Sequence, residues 1–346
     1  MSKNRDLANL LADGSTVTTA DMSADTVTSL KSGRKNLIIN GDFHISQRGD
    51  YSTDTAVTNG EYALDRWKYL VSGVTANTRR DRNVTIDSEL KNILHLQATS
   101  SASARLCHRH LIEANSNRTP IAGKQTIFSV WVKSNNANTG IHIYDYGAGG
   151  YVGTDTHSGN GQWEKLSVTF TGGTGTVTQN GSAIEINVGM QTVANGPVTI
   201  TSGDYVDIAQ PQLELGDTAT DFEHRSYGEE LALCQRYCYV LESSNTYYRF
   251  PVAIAHPSID QTQGYQPFPT VMRVVPTLST SYNDIQIANN GSGSATAVAL
   301  SGDGDSQHGV NLRLDFPSGA ITTHGRAIQY RIVNQTDWKF TFDAEL

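Results

Sequence analysis

Three tyrosines stand close together around a glycine-rich segment in the middle of the chain. Tyr144 and Tyr146 precede the run GAGG, and Tyr151 follows it. Sugar rings pack against flat aromatic side chains, while neighbouring polar groups fix their orientation. The sequence therefore predicts a glycan-binding site here, with an ordinary surface loop as the alternative interpretation. The candidate site residues are Tyr144, Asp145, Tyr146, Tyr151, Asp155 and His157.

Carboxylate pairs are the other residues that could act chemically on a glycan. Glycoside cleavage generally uses two acids placed across the scissile bond. Glu214 and Asp217 are close in sequence, as are Asp204 and Asp207, but such spacing does not place two acids on opposite sides of a cleft. The G-x-S-x-G, Walker A and H-E-x-x-H motifs do not occur in the sequence. We therefore expect a protein that is not an enzyme.

Composition and charge narrow the class of protein further. The 346 residues carry a formal net charge of −8, whereas nucleic-acid binders usually show a basic field because phosphate contacts supply much of their affinity. No apolar run reaches the roughly 18 residues of a membrane helix, and the opening MSKNRDLANLL lacks the apolar core of a signal peptide. We expect no nucleic-acid partner, no membrane span and synthesis in a host cytoplasm.

Short β-strands must position the candidate residues. Strand-forming residues dominate KQTIFSVWVKS (124–134), IHIYDY (141–146), AIEINVGM (183–190) and YVDIAQPQLEL (205–215), and turn-forming segments separate these runs. Many strands with no helical segment between them are typical of an antiparallel sandwich. The predicted fold class is therefore all-β, an antiparallel jelly-roll sandwich.

One helical segment interrupts the strands. Leu231, Cys234, Cys238 and Leu241 recur at the spacing of one helix face, which predicts a connecting helix over residues 227–241. The predicted domains are an extended amino-terminal arm (1–35), a jelly roll (36–226), this helix, and a smaller second β domain (242–346).

Five segments carry a resemblance to a known family. They are NLIINGDFHISQRG (36–49), ALDRW (63–67), IAGKQTIFSVWVKS (121–134), GQWEKLSVTFTG (161–172) and IAQPQLELGDTATDFEHRSYGEELALCQRYCY (208–239). Their order and spacing resemble the jelly-roll modules of tail, fibre and other appendage proteins of tailed bacteriophages. Those modules are similar to carbohydrate-binding modules of the galactose-binding-like superfamily.

This resemblance implies a virion component, commonly a homotrimer, whose partners are other phage structural proteins. Particle attachment is then assigned to the arm, where Leu7, Leu10 and Leu11 form one small apolar face. The leading hypothesis is a structural subunit of a tail fibre, a head fibre or a capsid decoration that contributes to host-surface attachment. A dedicated glycan-binding, receptor-binding adhesin is the alternative, and a glycan-cleaving tailspike is the weaker alternative.

The same resemblance implies a structural Ca²⁺, which such jelly rolls often bind near the first strand and a late strand. The residues in those places are Asp42 and Asp207, and hard oxygen ligands suit the ion. Ordinary turn and surface acids are the other interpretation of these two residues.

Overall fold

The computed structural model describes the chain from Lys35 onward, with gaps. The described residues are 35–114, 119–177, 181–243, 249–255, 261–280, 285–287, 294–295, 297–300, 306–315, 327–332 and 338–346. The predicted attachment residues Leu7, Leu10 and Leu11 therefore lie outside the described residues.

The chain divides into two compact units. The first contains the described residues as far as Asp42, together with Leu70–Asn77 and Asp81–His224. The second contains Phe43–Tyr69, Thr78–Arg80 and Arg225–Leu346. Both units are discontinuous in sequence, because residues 43–69 and 78–80 cluster with the carboxy-terminal part of the chain.

Two antiparallel sheets run through the residues between Thr55 and Leu215. Sheet 1 has the spatial order β1 (Thr55–Val57), β3 (Ala76–Ile86), β4 (Glu89–Ala98), β12 (Tyr205–Leu215), β6 (Gln125–Ser134) and β9 (Trp163–Thr171). Sheet 2 has the order β11 (Val198–Ile200), β5 (Ala102–Glu113), β10 (Ser182–Met190), β7 (Thr139–Asp145) and β8 (Gly150–Thr156), and β2 (Trp67–Ser72) also pairs with β5.

The core of the first unit lies between sheet 1 and sheet 2. Phe128 and Val130 of β6 are buried, and so are Ile184, Ile186 and Val188 of β10. Alternate residues of a strand point to opposite faces of its sheet, so these side chains fill the space between the sheets. The described structure is mostly β, with several antiparallel sheets and one short helix, which confirms the predicted all-β sandwich class.

The predicted helix is shorter than the sequence pattern indicates. Helix α1 (Tyr227–Gln235) begins with a capping box, in which the Ser226 hydroxyl accepts the Glu229 N–H while the Glu229 carboxylate accepts the Ser226 N–H. Residues from Cys238 onward form strand β13 (Cys238–Ser243), not the last turn predicted to reach Leu241. The run CYVL is rich in strand formers, and pairing with another strand decides between two conformations of similar intrinsic preference.

The second unit contains the remaining strands in two sheets. One has the order β13, β22 (Trp338–Asp343) and β16 (Thr277–Thr280). The other has the order β18 (Ser294–Ala295), β17 (Ile285–Ile287), β21 (Ala327–Ile332), β14 (Arg249–Ala255), β15 (Gln261–Pro267), β20 (Gly309–Asp315) and β19 (Ala297–Leu300). Within the described chain, no helix has the length and apolar character needed to cross a membrane.

Candidate functional site

The register of four strands in sheet 2 brings aromatic and polar side chains to one surface. Because Ile184 and Ile186 of β10 point into the core, Glu185 and Asn187 lie on the opposite, outer face. Glu185 pairs directly with Tyr144 of β7, which in turn pairs with Tyr151 of β8. Directly paired residues share a face of a sheet. We name this surface the tyrosine face; its residues are Arg109, His142, Tyr144, Tyr146, Tyr151, Glu185 and Asn187.

Three aromatic rings form a continuous cluster on the tyrosine face. The ring centroid of Tyr144 lies 4.9 Å from that of Tyr146 and 5.1 Å from that of Tyr151, and both pairs meet edge to face. The main-chain N–H of Tyr146 donates to Ala183 of β10 at 3.0 Å, which holds this ring beside the central strand after β7 has ended. Tyr151 is 36% exposed. The cluster therefore presents aromatic surface to solvent at the β7–β8 hairpin.

A polar network borders the three rings. Glu185 accepts a hydrogen bond from the Tyr146 hydroxyl at 3.2 Å and forms an ion pair with Arg109 Nη2 at 2.9 Å. Asn187 Oδ1 accepts from Arg109 Nε at 2.9 Å, and its Nδ2 donates to Glu185 at 2.8 Å. Burial, and then the Glu185 carboxylate, raise the pKa of Tyr146 to about 12, so its hydroxyl stays a donor at neutral pH.

This network leaves a cationic group available for a ligand. Nη1 of Arg109 makes no hydrogen bond or ion pair with any residue that the structure describes. A fixed guanidinium beside aromatic rings can donate to hydroxyl or carboxylate oxygens of a sugar while the rings contact its apolar edges. The arrangement therefore combines the two kinds of contact that carbohydrate recognition requires.

A buried histidine lies on the same face, next to the network. His142 pairs with Asn187 across β7 and β10 and is 2% exposed. Burial lowers the pKa of His142 to about 4, so the ring is neutral at physiological pH. A contact of the ring with the main chain of Gly189 on β10 opposes this lowering, but burial has the larger effect. This histidine is therefore a buried, neutral part of the tyrosine face.

The other predicted polar site residues bond to main-chain groups at the edges of sheet 2. Asp145 is fully buried and accepts the main-chain N–H groups of Gly147 at 2.7 Å and of Gly173 at 2.7 Å. Asp155 accepts the N–H groups of Thr156 at 2.9 Å and Ser167 at 3.0 Å. The structure thus brings the three predicted tyrosines together and gives these two acids main-chain partners instead.

His157 also makes its contacts with the main chain. Its Nε2 lies 2.9 Å from the Gln162 carbonyl oxygen, and its Nδ1 accepts the Gly159 N–H at 2.8 Å. Both ring nitrogens are therefore engaged within the turn that leads into β9, and the ring is buried.

The two predicted calcium ligands have partners within the protein. Asp207 of β12 contacts the ring of His95 on the neighbouring strand β4. The main-chain oxygen of Asp42 accepts a hydrogen bond from Asn92 Nδ2 at 3.0 Å. Among the described residues, no group of three or more His, Cys, Asp or Glu side chains is placed to hold a metal ion. Calcium binding by Asp42 and Asp207 stays a prediction.

The sequence-based site did not include Arg109, Glu185 and Asn187. A local signal for two of them exists, since Glu185 and Asn187 are alternate polar residues within the otherwise apolar strand AIEINVGM. Such alternation marks an outward face of a strand. Arg109 gives no comparable signal, because its contact with Asn187 spans 78 positions of sequence.

The chain is thus an all-β sandwich in which one sheet carries an aromatic and polar surface. No protein-family model matches the sequence, and no curated protein matches it either. Several solved structures have a low similarity to part of this chain. A cyclase from Fischerella sp. TAU is 13% identical, with 54% of this chain and 100% of that chain covered and a TM-score of 0.36.

Two further similar structures are a phage tailspike domain and a putative sugar-binding protein. The enzymatically active domain of tailspike protein 4 of bacteriophage CBA120 is 14% identical, with 52% of this chain and 21% of that chain covered and a TM-score of 0.32. A putative sugar-binding protein from Bacteroides thetaiotaomicron is 12% identical, with 53% of this chain and 100% of that chain covered and a TM-score of 0.29.

The comparisons correct one expectation. The sequence was expected to encode a protein that is not an enzyme, because it lacks common catalytic motifs. The similar solved structures are mostly enzymes, among them the cyclases, a xylanase and an arabinofuranosidase. The expectation is therefore wrong. Missing short motifs do not exclude catalysis, because catalytic residues on a β-sandwich can come from separate strands.

Proposed function

We propose that the chain binds a host-surface carbohydrate through the tyrosine face, as a subunit of a tailed-phage particle. The observation that carries the proposal is a cluster of three tyrosine rings on one outer face of a sheet, joined to an Arg109–Glu185 ion pair by the hydrogen bond from the Tyr146 hydroxyl to Glu185. Aromatic rings give a sugar flat apolar contact, and charged hydrogen-bonding groups fix its hydroxyls.

The geometry favours a preformed site. Tyr144 and Tyr151 belong to paired strands, and Tyr146 is held by its main-chain bond to β10 and by Glu185. Rings that are already ordered lose little conformational entropy when a ligand binds. Weak affinity for one sugar can then be raised by several copies of the site on one particle, because linked sites bind with avidity.

The phage assignment rests on the resemblance of residues 36–240 to appendage modules. Under this proposal the chain is part of a tail fibre, a head fibre or a capsid decoration, and a homotrimer presents several tyrosine faces to the cell surface. A dedicated receptor-binding adhesin would use the same face. Incorporation into particles separates the two roles, because an adhesin that acts alone needs no docking element.

The test is binding of purified protein to surface polysaccharide from candidate hosts, measured by affinity electrophoresis. Replacing Tyr146 and Tyr151 with alanine (Y146A/Y151A) should weaken binding about tenfold or more, because two ring contacts are lost while the sheet is retained. Tyr227 is 63% exposed and lies on helix α1, so Y227A is a matched control that should bind like the wild type.

Two results would contradict the proposal. One is unchanged migration of Y146A/Y151A in a polysaccharide gel that retards the wild type. The other is equal weakening by Y227A, which would show that the loss does not depend on the tyrosine face. Circular dichroism spectra of all variants report whether the fold is retained.

A further inference from the structure

A second arginine lies beside the tyrosine face and has no carboxylate partner. Arg105 and Arg109 are four positions apart on β5, so both side chains lie on the outer face of sheet 2. Nη1 of Arg105 donates to the main-chain oxygen of Asn195 at 3.1 Å and to its Oδ1 at 2.8 Å. In the part of the chain that the structure describes, Arg105 makes no ion pair. Its charge is therefore held in place by neutral groups.

The acids on the strands of sheet 2 do not neutralise this arginine. Glu185 is paired with Arg109 at 2.9 Å. The other acids on these strands hold main-chain N–H groups or lie at the end of a strand; they are Asp145, Asp155 and Glu113. Glu113 is eight positions from Arg105, which is about 26 Å along an extended strand. Arg105 is therefore the uncompensated cation of this surface.

The charge of Arg105 reaches the aromatic cluster. Burial and the Glu185 carboxylate raise the pKa of Tyr151, and the guanidinium groups of Arg109 and Arg105 oppose that rise. Burial also raises the pKa of Cys107, which lies between the two arginines on β5, and the same two cations oppose that rise. Because Coulomb interactions weaken with distance, both cations act on the surface between Tyr151 and Cys107.

A buried amide adds a hydrogen-bond donor to the same surface. Gln191 follows β10 directly and is 3% exposed. Its Oε1 accepts a hydrogen bond from the Cys107 thiol at 3.6 Å, while its Nε2 has no hydrogen-bond partner among the described residues. A buried donor without a partner is unfavourable, so an acceptor on a ligand would stabilise this amide.

Unused hydrogen-bond donors are thus concentrated along this part of β5. They are Nη1 of Arg109, Nη2 and Nε of Arg105 and Nε2 of Gln191, none of which bonds to a residue that the structure describes. We call these three residues the donor strip. A sugar hydroxyl both donates and accepts, whereas a carboxylate only accepts. A cationic strip of donors therefore suits a carboxylate better than a hydroxyl.

We propose that the tyrosine face and the donor strip together bind an acidic glycan, whose sugar rings contact the tyrosines and whose carboxylate is held by Arg105 and Gln191. This inference rests on the proposed glycan-binding function and names the chemical class of the ligand. The whole chain has a formal net charge of −8, so affinity for a polyanion has to come from a local cationic group and not from general attraction.

The test compares each polysaccharide in two forms, by affinity electrophoresis of the full chain. The probes are alginate, hyaluronate, polysialate and the surface polysaccharides of candidate hosts, before and after chemical reduction of their carboxyl groups to alcohols. The wild type should bind at least one acidic polymer about tenfold more tightly than its reduced form, because reduction removes a charge-assisted contact. Dextran sulfate, a polyanion without carboxylates, should bind no better than the reduced polymers.

Variants of Arg105 assign the preference to the donor strip. R105Q removes the cation and should lower the preference for the acidic form to about twofold or less. R105K keeps the charge without the planar fork and should retain part of the preference. Arg82 is exposed on β3 of sheet 1, so R82Q is the matched control: it removes the same charge and should keep the wild-type preference. Circular dichroism spectra report whether each variant is folded.

The outcomes separate this inference from the proposed function. Equal binding of acidic and reduced forms would overturn the acidic-glycan inference and leave glycan binding intact. A folded R105Q with the wild-type preference, or tight binding of dextran sulfate, would overturn the assignment of a carboxylate to the donor strip. Y146A/Y151A should weaken binding of both forms, which tests the glycan-binding function by itself. A wild type that no polymer retards in either form would refute both proposals.

Discussion

At the scale of single residues, two buried histidines make the fold sensitive to acid. Burial lowers the pKa of His142 to about 4 and that of His108 to about 3, from an ordinary value of 6.5. At pH values between 6.5 and these lowered pKa values, the two histidines are protonated in the unfolded chain but neutral in the folded chain. The free energy of unfolding therefore falls as pH falls. For His142 alone, the loss between pH 6.5 and pH 4 is about 3 kcal/mol.

Chemical denaturation at several pH values measures this effect. Replacing His142 with glutamine should reduce the slope of stability against pH in that window, because one titrating group is removed. His44 is exposed, so H44Q is the matched control and should leave the slope as it is. A wild-type stability that is constant from pH 6.5 to pH 4 would contradict the expected burial of both rings.

At the scale of elements, the β7–β8 hairpin presents two of the three tyrosines and depends on a close approach of its strands. A Cβ atom at Gly140 would lie 2.4 Å from the Asp155 carbonyl oxygen, so β8 would have to move. G140A should therefore destabilise the fold by about 1–3 kcal/mol and weaken glycan binding, because Tyr151 shifts with its strand.

Gly150 supplies the control within the same hairpin. A Cβ atom there meets nothing within 4 Å, so G150A should keep both the melting temperature and the affinity near wild-type values. Thermal unfolding and affinity electrophoresis of the two variants provide the comparison. Equal melting temperatures for G140A and the wild type would show that the strand approach is looser than the structure indicates.

At the scale of the whole molecule, the appendage proposal predicts a homotrimer. Self-association with closed symmetry is the common arrangement of soluble oligomers, and three copies would multiply the weak contacts of each tyrosine face. Light scattering coupled to gel filtration should give three times the mass of one chain. A mass of one chain at every concentration tested, in the presence of the other particle proteins as well, would count against this arrangement.

The amino-terminal arm carries the second prediction at this scale. Leu7, Leu10 and Leu11 form one small apolar face in a segment of mostly small and polar residues, and we expect such a segment to become ordered only where partner contacts offset the entropy lost. Deleting residues 1–30 should leave a folded protein that is missing from purified particles. Normal occupancy of the truncated protein on particles would place the attachment site in the β units.

The alternation of apolar and polar residues within single strands is a local property, and it was enough to predict an all-β sandwich. The same property marks Glu185 and Asn187 as outward-facing, and the short aromatic spacing brings Tyr144 and Tyr146 near each other in any hairpin. Ser226 and Glu229 likewise have the spacing of a capping box, which indicates where helix α1 begins.

Only the tertiary structure decided which residues meet across strands. Arg109 contacts Asn187 over 78 positions of sequence, and that contact depends on a register set by packing of the whole core. The sequence predicted Asp145 as a ligand contact. In the folded chain its carboxylate accepts the Gly173 N–H instead. Cys238 fits a helix face locally and becomes a strand residue because it pairs with β22. Long-range pairing decides these cases because its free energy outweighs the small differences in local preference.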